Sequence, residues 1–151
     1  METKTILLVE DNEDDIELTL RAMKKHNIAN KVDVVKDGSE ALEYLFCTGK
    51  YSHKNPNEHP QLVLLDLKLP KIGGLEVLKK IREDARTKYL PVVILTSSKE
   101  ESDVMNGYKM HVNSYIRKPV DFNQFAEAIR QLGMYWLLLN EPPPSIGNGV
   151  K

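Results

Sequence analysis

The stretch Leu62-Val63-Leu64-Leu65-Asp66-Leu67-Lys68-Leu69-Pro70-Lys71-Ile72-Gly73-Gly74 decides the fold. Its first four residues are apolar without alternation, the pattern of a strand covered on both faces. A carboxylate follows at once. A turn through Pro70 then leads to a Gly pair that opens a segment of helical period, with Leu75, Leu78 and Ile81 facing inward. The same succession of strand and helix recurs along the chain. The other strand-like runs are Ile6-Leu7-Leu8-Val9, Val32 to Val35, Val92-Val93-Ile94-Leu95 and a weaker Ser114-Tyr115-Ile116. Five such repeats predict an α/β fold: a doubly wound, five-stranded parallel sheet with five helices and right-handed crossovers.

The helices carry their own signals. In the first, Ile16, Leu20 and Met23 fall on one face, with Glu13, Asp14 and Asp15 in the first turn and Lys24, Lys25 and His26 in the last, both favourable to the macrodipole. The second follows Gly38 and turns Leu42, Leu45 and Phe46 inward. A fourth spans about 100–110, with Val104 and Tyr108 as core candidates. The fifth starts near Asp121, a suitable N-cap, and buries Phe122, Phe125, Ile129 and Leu132. Residues 48–60 read as a long surface loop and 142–151 as a flexible tail, leaving one domain over 1–141.

Composition narrows the function classes. The 151 residues are 41% hydrophobic and 28% charged with a formal net charge of -1, and no run of Lys or Arg offers an electrostatic footprint for nucleic acid. The single cysteine, Cys47, excludes an internal disulfide, suits a reducing cytosol and reads as a small hydrophobe on a helix. No apolar stretch approaches the roughly eighteen residues a membrane span needs, and Met1-Glu2-Thr3-Lys4 leads directly into the first strand without a signal peptide. The expectation is a soluble, cytoplasmic protein with neither membrane nor nucleic acid as partner.

The chemistry lies just beyond the strand ends: Glu10 and Asp11 after the first, Asp66 after the third, Thr96 after the fourth, Lys118 just past the fifth. Open α/β sheets bind ligands outside the carboxyl ends of their strands, where the strand order reverses. For the flavodoxin-like order 2-1-3-4-5 that point lies between strands one and three, which brings Glu10, Asp11 and Asp66 together. Three carboxylates in one pocket repel one another and call for a cation. Oxygen-only ligands select a hard ion such as Mg²⁺. Asp66 can then act as a carboxylate nucleophile, with Lys118 opposing the developing charge and Thr96 offering a hydroxyl to a phosphoryl oxygen. Taken singly each residue has a bland reading: Asp11 or Asn12 as a helix cap, Asp66 and Thr96 as loop residues, Lys118 as a solvated turn lysine. What outweighs the bland readings is the gathering of all five at one edge of the sheet.

At Leu-Leu-Val-Glu-Asp-Asn (7–12), Leu-Leu-Asp-Leu-Lys-Leu-Pro-Lys-Ile-Gly-Gly (64–74), Ile-Leu-Thr-Ser-Ser (94–98) and Ser-Tyr-Ile-Arg-Lys-Pro (114–119) the sequence resembles the response-regulator receiver (CheY-like) family. The resemblance implies that Asp66 is the phosphoacceptor, charged by a sensor histidine kinase. It implies Mg²⁺ held by Asp11, Asp66 and the backbone carbonyl of Lys68, with Glu10 acting through water. It also implies Lys118 against the phosphoryl oxygens, Thr96 and Tyr115 as a switch pair, and a small Ser97 at the entry to the site. Such a receiver is not an enzyme beyond its own phosphorylation and dephosphorylation. Glu10 stands where the family often has Asp, and the Lys68 side chain is an unusual choice at its position. Position 68 and that of Ser98 influence aspartyl-phosphate lifetime in relatives. The loop 48–60 and the end of the fifth helix, Tyr135-Trp136-Leu137-Leu138-Leu139, resemble the small regulators paired with bacterial and cyanobacterial phytochromes. That likeness implies a phytochrome as kinase and a homodimer through helix four, strand five and helix five, with Tyr135 and Trp136 in the interface. Two other occupants of this fold fit less well. An FMN carrier needs a phosphate loop where Glu10-Asp11-Asn12-Glu13 stands. A phosphoaspartyl hydrolase has its nucleophile after strand one. A scaffold that uses the receiver fold without phosphorylation is the alternative.

Overall fold

The computed structural model describes residues 5–25, 31–96, 114–117 and 127. Five strands, β1 (Thr5–Val9), β2 (Lys31–Val35), β3 (Leu62–Leu65), β4 (Val92–Thr96) and β5 (Ser114–Arg117), form one sheet in the order β2-β1-β3-β4-β5. All four pairings are parallel. The described helices are α1 (Glu13–Lys25), α2 (Gly38–Phe46) and α3 (Gly74–Glu83). The expected fourth and fifth helices, with Val104, Tyr108, Asp121, Phe122, Phe125, Ile129 and Leu132, lie outside the described residues, as do His26, His111 and the tail 142–151.

Strand alternation distributes the core over both faces of the sheet. Leu7, Val9, Val63, Leu65, Val92 and Ile94 pack with Ala41, Tyr44 and Leu45 of α2 and Val77, Leu78 and Ile81 of α3. Ile6, Leu8, Leu62, Leu64, Val93 and Leu95 pack on the other face with Ile16, Ala22 and Met23 of α1. This is why the strand runs are apolar throughout.

One inward assignment fails, and three others are met only in part. Leu20 is 38% exposed, because the buried face of α1 centres on Thr19, and the next residue in a helix is turned by about 100°. Thr19 tolerates burial because its hydroxyl donates to the Asp15 carbonyl at 2.9 Å. In α2 the buried side chains are Ala41, Tyr44 and Leu45, with Leu42 and Phe46 only partly covered. In α3 Val77 joins Leu78 and Ile81, and Leu75 packs against the same core while only partly buried. Cys47 is not within a helix but is the C-cap of α2, in the left-handed region at φ 57°.

The segment 48–60 also departs from a plain surface loop. It folds into a lobe with a 3₁₀ turn at Gly49–Tyr51, held to α2 by side chains. The Tyr51 hydroxyl donates to Glu40 Oε2 at 2.8 Å, Lys50 Nζ lies 2.7 Å from the same oxygen, and Lys36 N–H donates to Glu40 Oε1 at 3.1 Å. Burial pushes the Glu40 carboxyl up, but these three donors outweigh it and leave the group below the ordinary range. Burial and the Glu40 contact together push the Tyr51 phenol up to about 12. Tyr44 packs edge-on against Tyr51 with ring centroids 5.2 Å apart, and its hydroxyl donates to Asp33 Oδ2 at 2.5 Å.

Candidate functional site

The sheet register places the acidic residues. Val9 pairs with Leu65, so one further step sets Glu10 level with Asp66 at the carboxyl edge. Backbone bonds carry the sheet past its last ladder residues: Glu10 N–H donates to the Val35 carbonyl and Asp66 N–H to the Val9 carbonyl, each at 3.0 Å. Both side chains belong to buried residues, Glu10 at 2% and Asp66 at 6% exposure, while Asp11 is exposed. One carboxylate oxygen from each of Glu10, Asp11 and Asp66 lies within 4.8 Å of the others, the single such group of acidic, His or Cys ligands among the described residues. Among the described residues no such group includes His53 or His59.

That spacing fits a small hard cation. Two oxygens on opposite sides of an octahedral Mg²⁺ at 2.0–2.1 Å are about 4.2 Å apart, so slight rotation of the side chains suffices to share one ion. A ligand set of oxygen alone excludes the softer metals as preferred occupants.

Backbone N–H groups nearby help to hold two of the carboxylates in place. The choice of cap between Asp11 and Asn12 falls to Asn12, whose Oδ1 accepts from Asp15 N–H at 3.0 Å and whose carbonyl accepts from Ile16 N–H at 2.9 Å. Asn12 N–H in turn donates to Glu10 Oε2 at 3.3 Å. Lys68 N–H donates to Asp66 Oδ1 at 3.3 Å, which turns the chain just past Asp66 and leaves the Lys68 side chain exposed. The remaining expected residues are placed only by backbone or not at all. Thr96 closes β4 rather than following it, and its register partner is Arg117, the residue before Lys118. Tyr115 is the register partner of Ile94. Lys118, Ser97, Ser98, Tyr135 and Trp136 lie outside the described residues.

Several supporting residues escaped the sequence reading. Asp37 caps α2, accepting from Glu40 N–H at 2.7 Å, and its other oxygen lies 3.6 Å from Lys71 Nζ in the loop after Asp66. Lys71 itself sits at φ 66°. Gly38 N–H reaches the Pro70 carbonyl at 3.4 Å, and Gly74 N–H donates to the Leu67 carbonyl at 2.9 Å. The spelling Asp37-Gly38-Ser39-Glu40, a cap residue with Glu three positions on, was the available signal.

A family model described as the response regulator receiver domain matches residues 6–130. The chain belongs to the response regulator receiver family. Among curated relatives, this receiver is 38% identical to the probable methanogenesis regulatory protein FilR2 of Methanothrix harundinacea, over 91% of this chain and 86% of that one. It is 37% identical to response regulator Rcp1 of Synechocystis, over 89% of each chain, a protein whose solved structures include a Mn²⁺-bound form. Among solved structures it matches the phosphorylated cyanobacterial phytochrome response regulator RcpA with a TM-score of 0.86 and 38% identity, over 95% of this chain and 100% of that one. It matches the bacteriophytochrome response regulator AtBRR with a TM-score of 0.75 and 53% identity, over 93% and 100%. Receiver domains bind Mg²⁺ at an acidic pocket, and Glu10, Asp11 and Asp66 form a cluster of that kind.

Proposed function

We propose that this receiver takes a phosphoryl group from the phosphohistidine of a sensor histidine kinase onto Asp66 and signals through protein contacts. The observation that carries the reading is the convergence of Glu10, Asp11 and Asp66 at the carboxyl edge between β1 and β3. An Asp66 carboxylate oxygen attacks phosphorus, the P–N bond breaks with its electron pair staying on the imidazole nitrogen, and an acyl phosphate results. Asp11, Asp66 and the Lys68 carbonyl would hold Mg²⁺, with Glu10 acting through water, and a bound ion would supply positive charge against the transferring oxygens. Lys118 pairs with those oxygens. Thr96 donates its hydroxyl to one of them once it is present, and Tyr115 follows as the second half of the switch. The protein turns over no other substrate. An ATP-dependent kinase as partner places it in the cytoplasm.

The likeness to RcpA and AtBRR supports a phytochrome as that kinase, and so light as the input. The receiver unit runs over 1–141. Helix four, strand five and helix five form the face that phosphorylation biases, in a homodimer that Tyr135 and Trp136 extend. Trp136→Ala is expected to lower self-association at least about tenfold, since interface aromatics dominate such contacts. Sedimentation of wild type and variant checks this, and a wild type that stays monomeric at high concentration overturns it.

The central claim is tested by incubation with acetyl phosphate and Mg²⁺, followed by intact mass and peptide mapping. The expected result is one phosphoryl group per chain, on the peptide that contains Asp66, and none in the presence of a chelator. A folded wild type that stays unmodified under these conditions favours the scaffold instead.

A further inference from the structure

The loop between Asp66 and α3 is closed on itself at its base. Lys68 N–H donates to Asp66 Oδ1 at 3.3 Å, and Gly74 N–H donates to the Leu67 carbonyl at 2.9 Å. Its tip rests on the first turn of α2. A Cβ at Gly38 would lie 1.9 Å from the Ile72 carbonyl oxygen and 2.7 Å from the Ile72 carbonyl carbon, so backbone packs directly on backbone there. Beside that contact, Gly38 N–H reaches the Pro70 carbonyl at 3.4 Å, and Lys71 Nζ lies 3.6 Å from Asp37 Oδ2. Three consecutive residues of the loop, Pro70, Lys71 and Ile72, thus each meet Asp37 or Gly38.

Neither side gives way easily. The helix is seated in the core by Ala41, Tyr44 and Leu45, and its first turn is closed by Asp37 Oδ1, which accepts from Glu40 N–H at 2.7 Å. In the loop, Pro70 has a fixed φ and narrows the conformations open to Leu69 before it. Lys71 occupies the left-handed region at φ 66°, a narrow well for a residue that carries a Cβ. Every residue between Lys68 and Ile72 is therefore restricted. A push on Ile72 is passed back toward Lys68 rather than absorbed on the way.

We propose that Gly38 is a positioning residue for the metal: the contact of its bare backbone with the loop sets the Lys68 carbonyl, and so the site's preference for Mg²⁺ over larger cations. The proposal rests on the assignment of that carbonyl to the ion. Mg²⁺ demands near-ideal octahedral geometry with oxygens at about 2.0–2.1 Å, whereas Ca²⁺ accepts variable geometry at about 2.3–2.6 Å. To clear a Cβ at position 38 the Ile72 carbonyl must retreat by about an ångström. A displacement of that size, carried to the Lys68 carbonyl, weakens the small ion more than the large one.

The test is calorimetric titration of metal-free Gly38→Ala with Mg²⁺ and, separately, with Ca²⁺, beside wild type. The Mg²⁺ Kd is expected to rise roughly tenfold, the effect of disturbing a partner that orients a metal ligand. The Ca²⁺ Kd should rise less than about threefold. A mere loss of folded protein would weaken both ions alike. A second pair of variants asks the same question without crowding the fold. Lys71→Asn and Lys71→Gly remove the same charge, and both residues tolerate φ 66°, but Gly lets the loop wander where Asn does not. Lys71→Gly is expected to bind Mg²⁺ about threefold or more weakly than Lys71→Asn. Equal effects on the two ions in Gly38→Ala, or equal Mg²⁺ affinities in the two position-71 variants, overturn the proposal. A wild type that binds no Mg²⁺ removes the metal assignment itself, a failure distinct from either of these.

Discussion

Asp66→Asn is expected to abolish phosphoryl uptake and, in metal-free buffer, to make the protein more stable than wild type. Both effects come from one carboxylate. The amide has no charged oxygen to attack phosphorus, so no acyl phosphate forms. The stability gain comes from relief of repulsion: two carboxylate oxygens within 4.8 Å of each other repel by roughly 3 kcal/mol or more at an effective dielectric of 20. Solvent at the exposed Asp11 reduces that figure. Asn keeps an oxygen able to accept from Lys68 N–H, so the turn after position 66 is retained. Added Mg²⁺ reverses the order. At a hundredfold excess over its dissociation constant the ion stabilises wild type by about 2.7 kcal/mol. That corresponds to some 5–10 °C for a domain of this size, and the variant should lose most of it. Thermal melts with and without Mg²⁺, beside intact mass after acetyl phosphate, read both effects. Asp11→Asn separates the ligand from the nucleophile. It should lose Mg²⁺ affinity but recover phosphorylation at raised Mg²⁺, which Asp66→Asn cannot do. Phosphoryl uptake by Asp66→Asn at the wild-type rate would move the acceptor elsewhere.

The architecture was legible because the strands are buried on both faces, so Leu7-Leu8-Val9 and Leu62 to Leu65 carry their signal in consecutive residues. The acidic site was legible for a related reason. A parallel sheet brings the residues just past successive strands to one edge, so Glu10, Asp11 and Asp66 could be grouped without coordinates. What could not be read depends on side chains that meet across the fold. Tyr44 is buried in α2 because Asp33 accepts its hydroxyl, and nothing at either position announces the pair. The lobe is ordered because Tyr51 and Lys50 both find Glu40, and a stretch rich in Asn, Pro and His gives only the impression of a loop. Leu20 was assigned inward from spacing alone. The centre of the buried stripe proved to be Thr19, a polar residue whose hydroxyl is satisfied within the helix. Gly73 and Gly74 looked equivalent as a pair that opens a helix, and there the structure separates two residues that the sequence could not.

Gly74→Ala should be strongly destabilising, and Gly73→Ala nearly neutral. A Cβ at Gly74 would collide with the Asp66 carbonyl oxygen and the Leu67 Cα. Those are backbone atoms in a segment fixed by Asp66 N–H to the Val9 carbonyl and by Gly74 N–H to the Leu67 carbonyl, so neither can yield without moving the acidic site. Overpacking of this kind costs about 1–3 kcal/mol, and contact with backbone puts it at the upper end. The expected loss is then roughly 6–12 °C in Tm. Gly73 is the N-cap of α3 with φ -68°, a conformation open to any residue, and the nearest atom to its would-be Cβ is the Leu67 carbonyl oxygen at 3.9 Å. Alanine there forfeits only some capping preference, under about 1 kcal/mol, and restricts the unfolded chain in partial compensation. The same pair tests whether the packing of α3 sets the site's geometry. If Gly74→Ala folds at low temperature, its Mg²⁺ affinity and rate of phosphoryl uptake should both fall well below those of Gly73→Ala, because displacement by Cβ falls on the Asp66 backbone itself. Equal melting temperatures for the two variants would mean that α3 can slide along β3 at no cost, and that its close approach does not hold Asp66 in place.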